Sequence, residues 1–186
     1  MNEKPNRFLP EILVAGLIIL IVGFMIARTY TGSMARAHRT ACINNINQLS
    51  MAMRMYADDH DQGLPRSGWQ DAVMPWVSEE PDWNVYYCPA RDDEKGWSYG
   101  MNWAVAGADD SSMPDPSVLI LLVDVRNDTR EFWWANDIRF HRFHRNRVPR
   151  PVHQGRANIA FCDGHVVCAD PFRMTVDNWI PRRDGP

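Results

Sequence analysis

Residues able to bind a metal ion or support catalysis are concentrated late in the 186-residue chain. They are His141, His144, His153, Cys162, Asp163 and His165. His141 and His144 lie in an arginine-rich stretch, and no second pair with zinc-site spacing follows them. The chain also lacks a Gly-rich phosphate loop, a nucleophile elbow and an HExxH motif. The pattern therefore predicts no metal, no cofactor and no enzymatic activity.

An acidic group earlier in the chain resembles a fragment of a calcium loop. Residues 58–61 read Asp-Asp-His-Asp, and Gly63 follows. No glutamate stands at the closing position that such a loop requires. The pattern favours an acidic, solvated helix end over a calcium site.

A basic run is the strongest local charge asymmetry in a chain whose net charge is only -3. Its arginines alternate with Phe140 and Phe143, and they are Arg139, Arg142, Arg145, Arg147, Arg150 and Arg156. Such a run can contact nucleic-acid phosphates or an anionic polymer, although it is more often a solvated loop. The eight tryptophans have two interpretations: they either stack against a sugar ligand or pack in the core. Packing in the core is the more common role of aromatic residues in a small sheet domain.

The amino-terminal part contains an uncharged apolar segment, residues 12–27, bounded by Glu11 and Arg28. With Phe8 and Leu9 it approaches the roughly 17 to 20 residues that cross a bilayer as a helix. A cleaved secretory signal is the alternative, but the residues after Arg28 offer only a poor cleavage site. Basic residues flank both ends, so their distribution does not decide the orientation.

Helical periodicity continues beyond the apolar segment. Apolar residues recur at steps of four and three along one face, at Cys42, Ile46, Leu49, Met53 and Tyr56. We expect the helix to end near residues 61–65, with Gly63 in the left-handed C-terminal position and Pro65 preventing continuation. Residues 29–33 combine β-branched side chains with glycine, and we expect a local break there.

The remaining sequence predicts short strands and turns. Residues 69–77 can form one or two helical turns, and residues 85–87 and 97–105 are strand-like. Residues 117–125 form a continuous apolar run and are expected to be the most buried strand, with residues 130–135 as its neighbour. The fold class expected is α+β, in which a long N-terminal helix packs on a small antiparallel sheet.

A hairpin signal lies at Asp163-Gly164, between the β-rich runs 157–162 and 165–168. A two-residue type I′ turn would place Phe161 opposite Val166 and Ile159 opposite residue 168. Ile159, Phe161 and Val166 would then share one face, and Cys162 would point to the other. His153 lies in the connection that enters the first strand, and we expect it to fix the hairpin.

Four cysteines, at 42, 88, 162 and 168, are compatible with one or two disulfides in an oxidising compartment. Cys42 lies on the apolar helix face, and Cys88 ends a short strand-like segment before Pro89. We predict that these two are bonded, which would constrain the unfolded chain by on the order of 4 kcal/mol. Cys162 and Cys168 are poor candidates for a bond because the hairpin points Cys162 to the opposite face.

The order of a membrane helix, an amphipathic spine and a sheet body resembles type IV pilins and pseudopilins. The blocks RTACINNINQL at 39–49, residues 55–65, YCPA at 87–90 and SYGMN at 98–102 are similar to a bacterial prepilin-type family. That family is named for a histidine, nine residues and Asp-Gly, a spacing that His153, Asp163 and Gly164 satisfy. The resemblance covers about residues 36–167. It implies a structural subunit of a type II secretion or type IV pilus-related assembly, with other pilin-like subunits as partners.

The resemblance also implies a single-pass protein of the bacterial inner membrane. The expected organisation is a cytoplasmic N-terminus (1–11), a membrane helix (12–27), an amphipathic spine (28–62) and an extracytoplasmic β-rich body (63–186). A runner-up hypothesis is a monomeric, membrane-tethered module that binds an anionic polymer or polysaccharide.

Prepilins present Gly followed by Phe-Thr-Leu-Ile-Glu at the processing point, whereas this chain has Arg7, Phe8 and Glu11 at the corresponding place. Glu11 has two readings. It is either the assembly glutamate, which pairs with a neighbouring subunit's amino terminus, or a residue that marks the membrane boundary near a helix start.

Overall fold

The computed structural model describes residues 8–66, 68–77, 83–91, 97–109, 113–125, 131–132, 151–175 and 178. The chain divides into two compact units, Met1–Ala37 and His38–Pro186. It combines a long N-terminal helix with a small, mainly antiparallel sheet. The predicted α+β class is confirmed.

The first helix, α1, spans Leu9–Asp59 without interruption over 51 residues. The break expected at residues 29–33 is therefore wrong. The hydroxyls of Thr29, Thr31 and Ser33 donate to carbonyl oxygens three residues earlier, at 3.2, 3.1 and 2.8 Å. Because the polar side chains are satisfied by the helix itself, their modest propensity cost does not interrupt it.

Within the unit His38–Pro186, the predicted apolar face of α1 is confirmed. Four of its five residues are completely buried, and Tyr56 packs against them while partly exposed. Polar side chains such as Asn44 and Asn47 lie on the exposed side. The 3.6-residue period thus identified the side of the helix that packs on the sheet.

The left-handed residues that end α1 are not the one predicted. Asp61 and Gln62 adopt the left-handed conformation, with φ of 52° and 62°, and the Gln62 amide donates to the Ala57 carbonyl at 2.8 Å. This is the six-to-one hydrogen bond of a Schellman cap. Gly63, which we expected in the left-handed position, instead forms an isolated bridge with Asp109. Aspartate tolerates this conformation better than most residues, so glycine is not required.

Among the described residues, the sheet has five strands in the order β3-β1-β2-β4-β5. They are β1 Tyr99–Asn102, β2 Ile120–Asp124, β3 Glu131–Phe132, β4 Ala157–Phe161 and β5 Val166–Ala169. The central strand β2 is buried at every residue, as predicted for the run 117–125. The expectation that β3 pairs with β2 is wrong. β3 runs parallel to β1, because both edges of β2 are occupied by the antiparallel strands β1 and β4.

Both faces of the central strands are covered. One apolar cluster joins the buried face of α1 to Leu121, Leu122 and Ala160. The other contains Ile120, Ile159 and Phe161 and is joined by Met174 from the segment after β5. Polar groups in β2 and β4 are consequently removed from solvent on either face.

Short helices complete the body. They are α2 Trp69–Val77 and 3₁₀ turns at Trp83–Tyr86, Trp103–Val105 and Pro171–Arg173. The helical turns expected at 69–77 are confirmed, and the buried Trp69 supports the core reading of that aromatic residue. The strand expected at 85–87 is wrong. Val85 and Tyr86 are both buried, and a 3₁₀ turn allows adjacent side chains to reach one core where a strand would point them to opposite faces.

Candidate functional site

The β4–β5 hairpin is present, but its register differs by one residue from the prediction. Ile159 lies opposite Val167, and the Phe161 amide donates to the His165 carbonyl at 2.9 Å. The Gly164 amide donates back to the Phe161 carbonyl at 2.9 Å, and Gly164 has φ of 93°. The connection is therefore a three-residue turn closed by a left-handed glycine, not a two-residue type I′ turn.

The shifted register changes which side chains share a face. Ile159 and Phe161 lie in one cluster, as expected. Val166 packs with the helix-side cluster instead, so its predicted placement is wrong. Cys162 belongs to that same helix-side cluster, opposite Phe161, and both Cys162 and Cys168 remain thiols. The two cysteines are not bonded to each other, as expected, but the reason given was wrong: Cys168 lies opposite Asn158, on the sheet face that Ala160 and Cys162 also occupy.

The hairpin turn is fixed to α1 by a hydrogen bond. Arg54 Nη1 donates to the Asp163 carbonyl at 2.6 Å. The Asp163 carboxylate accepts from the His165 amide at 3.0 Å and contacts the His165 ring. Partial burial opposes ionisation, but the hydrogen bonds from His165 and the nearby charges of His165 and Arg54 outweigh it and lower the pKa of Asp163.

His153 lies at the opposite end of β4, at the start of a second tight turn. His153 and Arg156 exchange backbone hydrogen bonds of 2.9 and 3.2 Å, and Gln154 and Gly155 both have positive φ, at 56° and 82°. Two consecutive left-handed residues define a type I′ turn. The nine residues between His153 and Asp163 thus correspond to one turn followed by the whole of β4.

His153 does more than border a turn, because its side chain is buried in a polar cluster. Only 5% of the residue is exposed. Its Nε2 lies 2.8 Å from Asn158 Nδ2, 3.4 Å from Asp124 Oδ2 and 3.6 Å from Cys88 Sγ. Cys88 forms the predicted disulfide with Cys42, with Cα atoms 5.0 Å apart. We call these five residues the His153 cluster.

Hydrogen bonds hold both halves of the disulfide. The Cys88 amide donates to Ser98 Oγ at 2.8 Å, and the Tyr99 hydroxyl donates to the Cys42 carbonyl at 3.1 Å. Burial, reinforced by the negative charge of Asp124, raises the pKa of Tyr99, so the phenol remains a donor at neutral pH. The disulfide therefore joins α1 to the segment that leads into β1 at a fixed position.

Asp124 and Asn158 are the members of the cluster that the sequence did not reveal. The backbone amide of Asn158, in β4, donates to Asp124 Oδ2, in the neighbouring strand β2, at 2.6 Å. Burial raises the pKa of Asp124, although His153, the Asn158 amide and the charge of Arg91 act against this. Within the described part of the chain, Asp124 Oδ1 and Asn158 Oδ1 have no hydrogen-bond partner.

A buried carboxylate with an unsatisfied oxygen is costly and marks a candidate functional site. One signal for Asp124 was available in the sequence. It is the only charged residue in the apolar run 117–125.

The acidic group at the end of α1 is engaged in local contacts. Trp76 Nε1 donates to Asp59 Oδ2 at 3.1 Å, and Gln62 Nε2 donates to Asp58 Oδ1 at 3.3 Å. These contacts agree with the expected acidic helix end.

The apolar segment 12–27 is a second candidate functional feature. Its side chains are exposed all around the helix, including Ile19 at 71% and Leu20 at 72%. In the described residues one helix, which begins near the N-terminus, is long and apolar enough to cross a membrane. Phe8 and Glu11 are exposed, and Glu11 lies in the first turn of α1.

Other predicted site residues fall outside the described residues. These are Arg7, the arginines of the basic run up to Arg150, and the pair His141 and His144.

Comparison with known proteins gives no relatives for this chain. No family model, no curated protein and no solved structure matches it.

Proposed function

We propose that this protein is a membrane-anchored, pilin-like structural subunit of a type II secretion or type IV pilus-related assembly. The observation that carries the proposal is the apolar surface of α1 over residues 12–27. A helix that packs on one side of a soluble protein has a polar opposite face, whereas here apolar side chains are exposed on every side. Hydrocarbon is the environment that suits such a surface.

The continuity of α1 supports the structural role. The helix that contains the apolar segment runs without interruption to Asp59 and supplies the buried face of the body. The order of helix and sheet agrees with the resemblance to pilins and pseudopilins carried by His153, Asp163 and Gly164.

The disulfide supports an extracytoplasmic body in a bacterial inner-membrane protein with a cytoplasmic N-terminus. Disulfides persist in oxidising compartments and are rare in the cytosol. Protease added to spheroplasts is expected to degrade the body while the N-terminus stays protected. A body that resists protease until the cells are lysed would contradict this orientation.

Cross-linking in native membranes tests the assembly. Single cysteines placed from Gly16 to Gly23, in a background with Cys162→Ser and Cys168→Ser, are oxidised without detergent. Neighbouring subunits that pack through α1 give cross-linked dimers whose yield rises and falls with the 3.6-residue helical period. The same variants oxidised after solubilisation in a denaturing detergent are the control.

A uniform absence of cross-links would favour the runner-up, a monomeric tethered module for an anionic polymer or polysaccharide. That protein would remain monomeric in mild detergent and bind its ligand through the body.

Glu11 gives a further test within the same assay. Its position in the first turn lets the carboxylate interact favourably with the positive end of the helix dipole. We therefore expect Glu11→Gln to retain the cross-linking pattern, as a membrane-boundary residue should. Loss of cross-links would identify Glu11 as an assembly residue. Mass spectrometry of the mature amino terminus establishes whether processing occurs near Phe8.

A further inference from the structure

The His153 cluster contains residue types that bind zinc. Sγ of Cys42, Sγ of Cys88 and a ring nitrogen of His153 lie within 4.8 Å of one another, and all three residues are buried. Tetrahedral zinc binds sulfur at about 2.3 Å and nitrogen or oxygen at about 2.0–2.2 Å, so two of its ligands are about 3.4–3.8 Å apart. His153 Nε2 lies 3.6 Å from Cys88 Sγ and 3.4 Å from Asp124 Oδ2. Both separations fall within that range, and the two sulfur atoms, which are bonded to each other here, must separate on reduction.

A disulfide by itself does not account for the polar side chains around it. A buried disulfide requires neither a histidine nor a carboxylate beside it, and burying such groups is costly unless they are satisfied. Asp124 is almost completely buried, and its Oδ1 has no partner among the described residues. A cation bound beside His153 would offset part of the cost of burying this carboxylate.

We propose that the reduced protein binds one Zn²⁺ through Cys42, Cys88 and His153, and that the Asp124 carboxylate, 3.4 Å from His153 Nε2, moves toward the metal to fill the fourth position. The bound metal and the disulfide are then alternative states of one site. The inference stands apart from the membrane anchor, since all four residues belong to the unit His38–Pro186.

The exchange between the two states balances with a dithiol as reductant. The dithiol gives two electrons and two protons to the Cys42–Cys88 bond and becomes a disulfide, which leaves two thiols in the protein. Zn²⁺ then binds the two thiolates and releases the two protons. In the reverse direction a small-molecule disulfide takes two electrons from the thiolates and two protons from water, leaves as a dithiol, and restores the Cys42–Cys88 bond with release of Zn²⁺.

Metal binding by the full-length protein in detergent tests the proposal. Protein reduced with a phosphine, and protein left oxidised, are each incubated with Zn²⁺ alone, desalted and analysed for bound zinc. We expect one zinc per chain in the reduced sample and none in the oxidised sample. Co²⁺ in place of zinc should give the thiolate charge-transfer absorption and the intense visible bands of tetrahedral coordination.

Variants assign the ligands. His153→Gln, folded and checked in its oxidised state before reduction, should bind zinc at least 10-fold more weakly. Asp124→Asn should weaken binding in the same direction. Cys168→Ser is the matched control, since it removes a thiol outside the site and should bind zinc like the unaltered protein.

Three results would overturn the inference. These are a reduced protein that binds no zinc, a His153→Gln variant that binds as tightly as the unaltered protein, and loss of zinc from the Cys168→Ser control. Thermal unfolding covers the case in which reduction weakens the fold. Zinc should then raise the melting temperature of the reduced protein but not that of reduced His153→Gln, and an equal effect on both would also refute the site.

Discussion

Removal of the Cys42–Cys88 bond should weaken the body strongly through the unfolded state. The bond joins residues 46 positions apart, and closing a loop of that length constrains the unfolded chain by on the order of 4 kcal/mol. Domains are commonly stable by about 5–15 kcal/mol, so the loss is a large share of the total. The double variant Cys42→Ala with Cys88→Ala is therefore expected to fold but to lose about 4 kcal/mol of unfolding free energy.

The structure of the folded protein should change little, because the loss of about 4 kcal/mol arises in the unfolded chain. The Tyr99 hydroxyl bonds to the Cys42 carbonyl, and Asn45 Nδ2 donates to the Tyr87 carbonyl at 2.9 Å. Both contacts use backbone oxygens and survive removal of the sulfurs. The segment before β1 therefore keeps its attachment to α1 in the variant.

Urea unfolding of the full-length protein in detergent, followed by tryptophan fluorescence with a chelator present, measures the effect. Because the unfolded chain becomes less restricted, the slope of unfolding free energy against urea should also increase. Cys162→Ala is the matched control, since it removes a buried thiol that forms no disulfide. A loss no larger than that of the control, with an unchanged slope, would refute the reasoning.

Three further outcomes are expected at the hairpin and at the buried carboxylate. Gly164→Val should lower the unfolding free energy by about 1–3 kcal/mol and the melting temperature with it, because φ is 93° and an added Cβ would lie 3.1 Å from Arg54 Nη1. Because the pKa of Asp163 is lower in the folded protein than in the unfolded chain, its ionised form stabilises the fold at neutral pH. This stability is lost as pH falls through the pKa that Asp163 has in the folded protein. Acid titration should therefore weaken the unaltered protein below about pH 4 more than Asp163→Asn. The raised pKa of Asp124 affects stability in the opposite direction. Ionisation of this buried carboxyl lowers the free energy of unfolding as pH rises toward the folded pKa, and the loss is complete above it. Asp124→Asn keeps an acceptor for the Asn158 amide and should unfold at higher urea at neutral pH, and a lower midpoint would contradict this.

The amino-acid sequence by itself determined the features that depend on local pattern. The charge-free run 12–27, the buried helix face from Cys42 to Tyr56 and the burial of β2 follow from residue type and period alone. The existence of a hairpin at Asp163-Gly164 and the Cys42–Cys88 pairing were also predicted. Each of these depends on residue types and their local spacing, which the sequence contains directly.

The predictions of the hairpin register and of the α1 cap were wrong because a single hydrogen bond decides between two similar local geometries. The hairpin closes through Phe161 and His165 with a three-residue turn, which shifts the register by one and moves Val166 to the other face. The cap of α1 uses Asp61 in place of Gly63. Both alternatives satisfy the same residue preferences, so composition does not separate them.

Only the tertiary structure decided the His153 cluster. His153 is 65 residues from Cys88, and Asn158 is 34 residues from Asp124. No spacing rule joins such positions, and the sequence predicted no metal site because its cysteines and histidines lack paired spacing. They meet because β4 pairs with β2 while a type I′ turn places His153 beside the disulfide that joins α1 to the segment before β1. Long-range strand pairing, which local sequence does not encode, therefore created the candidate site.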